Sequence, residues 1–452
     1  MWDQWEWFRQ HVRSKTGDTN ESAWANGEYN FFKSGFPPMM KSRTISSIKV
    51  LAILPALIPS SIILVVEPLI HLAKLEKVSL RVRLENMYVH MSDLEWADII
   101  VFCRNTDPAF DSNLEHALVV HKPYIYEIDD NFFELPLEVH GGTYHRGPEQ
   151  IAQLEKYIKH ASLVRVYSLS METRVKRYTS KVKLVKAPVN LSSIPSIPPQ
   201  RTSQKLKLVY TTSRTIGDDL SQILVKDLAR ILNEYGDSIE IHFRGYVPKQ
   251  LQHLPSVKFH RFILNYQKYM QTMYQQGYDI GLAPMKNGIF YRSKTNNKFR
   301  EFGACWIAGI YSTSEVYANC VEHGKTGLLV LNKGGEWYQA MRTLILDADL
   351  RRSIQNNTRE IIEREYSLDN FASLLWDHIN WVLQEPLISA ESTIDPTQIK
   401  NFTDKPQLII LKFRKILRSM KEFGYFLTIR HMLQSIERYI EYFALLWRIK
   451  EL

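Results

Sequence analysis

Short, β-branched apolar runs bounded by polar turns recur along this chain, and they limit its fold more than any other feature. In the first part they are Val50–Leu54, Ala97–Phe102, Tyr124–Ile128, Leu163–Ser168 and Val182–Val189. Runs of this kind read as strands buried on both faces. Helical stretches separate some of them; Glu149–His160 carries Ile151, Leu154 and Ile158 at helical spacing. Strands alternating with helices predict a parallel sheet covered by helices. A polar, proline-containing stretch over 192–205 interrupts the pattern. It restarts with Leu206–Thr212, Ile239–Gly245, Val257–Ile263, Tyr278–Ala283, Ile307–Thr313 and Thr326–Leu331. The first two of these should be joined by a helix with Asp218 and Asp219 in its first turn and Gly236 past its end. The order predicted is an extension over 1–45, an α/β half over 46–191, a linker over 192–205, a second half over 206–383, a linker over 384–406 and a tail over 407–452.

Two open parallel sheets facing each other form a cleft, and such sheets bind ligands outside the carboxyl ends of their strands. No GxGxxG follows the first strand of either half and no GxxxxGK[ST] occurs, so a dinucleotide fingerprint and a P-loop are both missing. Three cysteines, Cys103, Cys305 and Cys320, without a CxxC pair, exclude a disulfide scaffold and a cysteine zinc site and fit a reducing compartment. The uncharged stretch Val50–Val66 reads either as a membrane span interrupted by two prolines or as a buried strand, a loop and a helix over Ser61–Leu75. The net charge of +9 sits unevenly: from Lys400 to Leu452 there are eleven Lys/Arg against five Asp/Glu. A nearly neutral body argues against a nucleic-acid partner. The tail, with Leu408, Leu411, Ile416, Phe423, Phe426, Leu433, Ile440 and Leu446 among basic residues, reads as a basic amphipathic helical segment. It could lie on an anionic membrane or pack on the protein.

Candidate chemistry gathers in two places. A short helix is expected over 294–304, ended at Gly303 or soon after, with Lys294, Lys298 and Glu301 along one face. Its N-terminus, with Ser293, Thr295 and the two lysines, could receive a phosphate, and Glu301 one turn on could hold a vicinal diol such as a ribose. A solvated face with an ordinary Lys–Glu pair is the plainer reading. In YEIDDNFFELP, Asp129 and Asp130 stand at the carboxyl end of a strand. Metal binding, acceptor-hydroxyl binding and a turn or cap role are all open to them. His140 and His145 lie on a Gly-rich loop nearby.

The stretch Tyr291–Leu331 contains EFGACWIAGIYST, then a glutamate-bearing turn, then HGKTGLLV. It resembles the donor-binding half of GT-B glycosyltransferases, in the retaining superfamily related to glycogen and sucrose synthases. EWYQAMRTLILDADLRRSIQNNTREIIEREYSLDNF is similar to that family's closing helices, and the likeness runs over roughly residues 48–383. The resemblance implies an α/β fold of two Rossmann-like parallel-sheet domains across a cleft, the first binding the acceptor and the second the donor. It implies transfer of a sugar from a nucleotide-diphosphate donor to a glycan or lipid-linked acceptor, with retention of configuration. No metal or other cofactor is expected, and the enzyme is expected in the cytoplasm, with the tail as a peripheral contact on the membrane.

Carried over residue by residue, Glu301 would hold the donor ribose. The family's other glutamate falls on Ser293, which is not acidic, so the Ser293–Lys294–Thr295 turn would take its place. TTSRTIGDDL follows the first strand of the second half, where the family's loop nears the diphosphate; its one cation, Arg214, is the expected phosphate partner. Gly245 would let the backbone approach the base. Lys298 and Arg214 would stabilise the leaving group, Asp130 is a candidate catalytic group, and Asp129, Asp130 and His140 are candidate acceptor contacts. The alternatives are an inactive binding protein of the same fold, suggested by the missing glutamate, and a nucleotide-sugar epimerase.

Overall fold

The computed structural model describes residues 47–450, apart from 88, 140, 201–202, 215–217 and 386–439. By its contacts the chain divides into Met1–Ser46 and Ser47–Leu452. The extension, most of the tail and His140 thus lie outside the described residues.

The first half holds β1 (Ile48–Leu54), β2 (Val78–Leu84), β3 (Ile99–Cys103), β4 (Tyr124–Ile128), β5 (Leu163–Val166) and β6 (Val182–Leu184). They form one parallel sheet in the order β2-β1-β3-β4-β5-β6. Every residue of β3 and β4 is buried, as expected of strands covered on both faces. Each large aliphatic side chain so enclosed contributes about 1.5–3 kcal/mol. β2 was not among the expected strands. Its VSLRVRL alternates buried and half-buried positions, the mark of an edge strand with one wet face, and so lacks the continuous apolar run.

The uncharged stretch resolves as strand, loop and helix. After β1 a helical turn at Pro59–Ser61 runs through a π segment, Ile62–Val66, into α1 (Glu67–Lys74). Among the described residues no helix is long and apolar enough to cross a membrane.

The second half holds β7 (Leu206–Thr211), β8 (Ile239–Arg244), β9 (Val257–His260), β10 (Ile280–Ala283), β11 (Ala308–Ser312) and β12 (Leu328–Val330), in the order β12-β11-β10-β7-β8-β9, again all parallel. The helix after β7, α2 (Val225–Tyr235), begins later than expected. Asp218 and Asp219 are not in its first turn; they stand in the preceding loop, where Asp218 accepts from the backbone N–H of Leu220 and from the Tyr210 hydroxyl. The helix's own early acid is Asp227.

Three further helices matter for the site: α3 (Tyr266–Gln276), α4 (Asn297–Ala304) and α5 (Ala348–Glu365). α4 starts three residues later than expected and ends, as expected, just past Gly303. A Cβ on Gly303 would come within 2.6 Å of Ile362 and 2.7 Å of Thr358, so the glycine serves the close crossing of α4 and α5. The last helix of this half, α6 (Leu368–Gln384), packs back on α1 of the first half, where Phe371 stacks near Tyr167 and beneath the Arg165 guanidinium. Residues 440–450 are helical as well. Tyr442 there is buried, and its hydroxyl donates to the Val82 carbonyl (3.1 Å) in β2, while Glu441 accepts from Asn265 (3.2 Å) at the start of α3.

Candidate active site

In each sheet the chain changes direction between two central strands, and a crevice opens at their carboxyl ends. In the first half that point lies between β1 and β3, and the residues following β1, β3 and β4 converge on it. Ser60 donates to Asp129 Oδ2 (2.7 Å), and Arg104 Nε donates to Asp129 Oδ1 (2.5 Å). A second nitrogen of Arg104 pairs with Asp130 Oδ2. Arg104 itself has a left-handed backbone, φ 59°, which a non-glycine residue adopts rarely and which here turns its side chain into the carboxylate pair. Although burial works against its charge, Asp129 and Asp130 hold the guanidinium firmly protonated.

Glu127, two residues before, points elsewhere. It is fully enclosed with Arg165 of β5 (2.7 Å) and the Tyr167 hydroxyl (2.6 Å). Burial raises its pKa against the pull of Arg165.

Across the cleft, the turn between the short helix Ile289–Arg292 and α4 meets these groups directly. Lys294 Nζ lies 2.5 Å from Asp130 Oδ1 and 4.2 Å above the Phe290 ring. Burial pushes the Asp130 carboxyl up, but Lys294 and Arg104 outweigh it and hold it below the ordinary aspartate value. Ser293 is buried. Its hydroxyl donates to the Ile289 carbonyl, accepts from Asn131 (3.1 Å) and contacts Ser170, while its carbonyl accepts from Ser168 (3.1 Å). Thr295 is nearly buried and donates to Asn297.

One turn along α4, Lys298 donates to Glu301 Oε2 (2.7 Å), which also accepts from the Tyr269 hydroxyl of α3 (2.9 Å). Tyr269 reaches on to Thr211 at the end of β7 (3.1 Å). No side chain caps the first turn of α4, the arrangement in which backbone N–H groups are left for an anion.

At the crevice between β7 and β10, Arg214 pairs with Asp218 and with Asp219. Asp219 also holds Lys286 (2.7 Å) and accepts from the Tyr291 hydroxyl (3.1 Å). Gly245 has φ 98°, and a Cβ there would sit 2.1 Å from the Thr212 carbonyl oxygen. Its lack of a side chain thus admits the neighbouring β7 loop. His145 stands by Phe132 (ring centroids 4.8 Å apart) and Thr106, and Arg104 lies over the same Phe132 ring.

The structure therefore joins Asp130 to Lys294 and its neighbour Asn131 to Ser293, and Lys298 to Glu301, and it sets Arg214 in a carboxylate cluster of its own. Arg104, Ser60, Tyr269 and Lys286 went unread in the sequence. Arg104 carried a usable signal, a cation directly after a buried strand, in the same kind of position as Asp129. Among the described residues no cluster of three or more His, Cys, Asp or Glu could hold a metal ion.

No family model and no curated protein matches the sequence. Solved structures do match. A glycosyltransferase from Rickettsia africae superposes with a TM-score of 0.56 at 13% identity, over 75% of this chain and 100% of that one. HepE from Anabaena, in complex with UDP, gives 0.54 at 14% identity over 74% and 100%. This is a GT-B fold. A putative UDP-N-acetylglucosamine 2-epimerase from Listeria monocytogenes shares it at 0.52 and 10% identity, over 75% and 98%. The expected α/β architecture of two parallel-sheet halves is thereby confirmed.

Proposed function

We propose that this chain transfers a sugar from a nucleoside-diphosphate donor, held by the second half, to a hydroxyl of an acceptor held by the first. The observation that carries the reading is the meeting of Lys294 with Asp130 and Arg104 between the two switch-point crevices, one turn from the Lys298–Glu301 pair. Glu301 accepts the donor ribose. Lys294, Lys298 and the open N-terminus of α4 stabilise charge as it builds on the departing diphosphate, with Arg214 as a further cation. Asp130 orients the acceptor hydroxyl, and Asp129, engaged on both oxygens by Ser60 and Arg104, positions Arg104 beside it. No metal enters this scheme, and retention of configuration is carried from the sequence resemblance. The acceptor is a glycan or lipid-linked molecule met at a membrane surface. Ile440, Phe443 and Trp447, exposed on residues 440–450 of the basic tail, support that placement.

The test is a thermal-shift panel of UDP, GDP, ADP and their sugar conjugates, since a ligand specific for the folded state raises its melting temperature. UDP comes first because HepE, with this fold, is described with it. One nucleotide class should stabilise the chain, and its sugar conjugate should release the diphosphate when acceptor glycan is added. Binding without release under any acceptor would favour the inactive binding protein. A second reading, nucleotide-sugar epimerisation, gains from His145, which packs on the same Phe132 ring as Arg104. Interconversion of donor sugars with no acceptor present would establish it instead.

A further inference from the structure

Each cation named in the candidate site already has a carboxylate. Arg214 holds Asp218 and Asp219, Lys286 holds Asp219, Lys298 holds Glu301, Arg104 holds Asp129 and Asp130, and Lys294 holds Asp130. A diphosphate entering such a site must therefore exchange partners as it binds. The exchanges are not equivalent. Asp129 is locked by Ser60 and Arg104 with its side chain 7% exposed, and Glu301 is fixed by Tyr269 with its side chain 8% exposed. Asp130 and Lys294 are more open, at 21% and 29%, and theirs is the one pair among these that joins the two halves. Asp130 also has a second cation to fall back on, since Arg104 stays on its other oxygen.

We infer that Asp130 is the internal competitor of the donor diphosphate for Lys294. The exchange is favourable because a phosphate group offers more charge and more acceptor oxygens than a carboxylate. Lys294 turns from Asp130 Oδ1 to the diphosphate, Asp130 keeps Arg104 on Oδ2, and Oδ1 is left uncovered in the cleft. That oxygen is then available to accept the incoming hydroxyl's hydrogen bond in the proposed reaction. Donor binding thus prepares the acceptor side, and the empty site is kept neutral until then. This inference rests on the donor-binding reading above.

Calorimetry with UDP, and with GDP and ADP as parallel arms, tests it on four proteins: the unaltered chain, Asp130→Asn, Lys294→Met and the double variant. Asparagine keeps the shape and the hydrogen bond to Arg104, and thermal unfolding confirms that each variant folds. Asp130→Asn should bind the preferred nucleotide about two- to fivefold more tightly, the scale of a partly exposed ion pair. Lys294→Met should bind it more weakly. In the Lys294→Met background, Asp130→Asn should bring no gain, because the competitor acts only through the lysine. Unchanged or weaker binding by Asp130→Asn overturns the inference while leaving the donor reading intact. So does an equal gain with and without Lys294, which would mean simple removal of negative charge. If the unaltered chain binds none of the three nucleotides, the donor reading falls and takes this inference with it.

Discussion

Glu301 carries two donors on one carboxylate oxygen, Lys298 and Tyr269. Under the proposed function its removal should cost the ribose a partner, and it should loosen the link from α3 to Thr211. A hydrogen bond to a charged group contributes about 1.5–3 kcal/mol, so Glu301→Ala should weaken nucleotide binding about 10- to 100-fold. Calorimetry that finds the affinity unchanged removes Glu301 from the site. Lys298→Ala should act differently, lowering turnover more than donor affinity, because leaving-group charge is greatest in the transition state. Equal losses in kcat and donor affinity would contradict its role. The sequence marked both residues through their helical spacing. It did not mark Arg104, whose left-handed turn and paired aspartates become visible only once β3 and β4 lie side by side.

At the scale of elements, the carboxyl ends of β4 and β5 are tied by the enclosed Glu127–Arg165–Tyr167 group. This tie holds the strand that delivers Asp129 and Asp130. Glu127→Ala leaves Arg165 charged and unpaired in the interior and should cost about 3–5 kcal/mol in chemical denaturation. Replacing both partners, Glu127→Leu with Arg165→Met, should recover much of that loss. No recovery would show that the pair itself, rather than the stranded charge, carries the stability.

At the β9 edge of the second sheet, His242 of β8 and His260 of β9 stack and share a hydrogen bond (2.9 Å), with Glu240 on the far side of His242 and Arg244 nearby. Burial first, then Arg244 and His242, push His260 down to about 4. The unfolded chain takes up this proton near pH 6.5 and the folded one does not, so this contribution to stability falls as pH drops from about 6.5 towards 4. His260→Gln should flatten the melting temperature across that window, and an unaltered slope would refute the assignment.

For the molecule as a whole, residues 440–450 touch both halves, through Tyr442 to β2 and Glu441 to the start of α3, and Leu445, Leu446 and Ile449 pack on the core. The same segment turns Ile440, Phe443 and Trp447 outward. The two faces predict separable effects. Tyr442→Phe should lower stability by about 1 kcal/mol, the worth of one hydrogen bond, and leave membrane affinity alone. Phe443→Ser with Trp447→Ser should reduce co-sedimentation with vesicles of anionic phospholipid, which Tyr442→Phe should not. Equal recovery of the double variant and the unaltered chain on such vesicles would remove the membrane from the proposal.

Local pattern was enough to reveal the two α/β halves, because a strand buried on both faces is apolar at most positions, and a few residues record that by themselves, even where β4 and β5 each enclose one charge, Glu127 and Arg165. It failed at β2, where one wet face breaks the run, and at α4, where the turn Ser293–Asn296 is shaped by contacts with the other half rather than by its own composition. The pairing that defines the candidate site was beyond any local reading. Arg104 and Lys294 stand 26 and 164 residues from Asp130, and charge carries no address in a sequence. Strand order brings the first pair together, and the approach of the two sheets brings the second, so only the folded chain decides which carboxylate each cation meets.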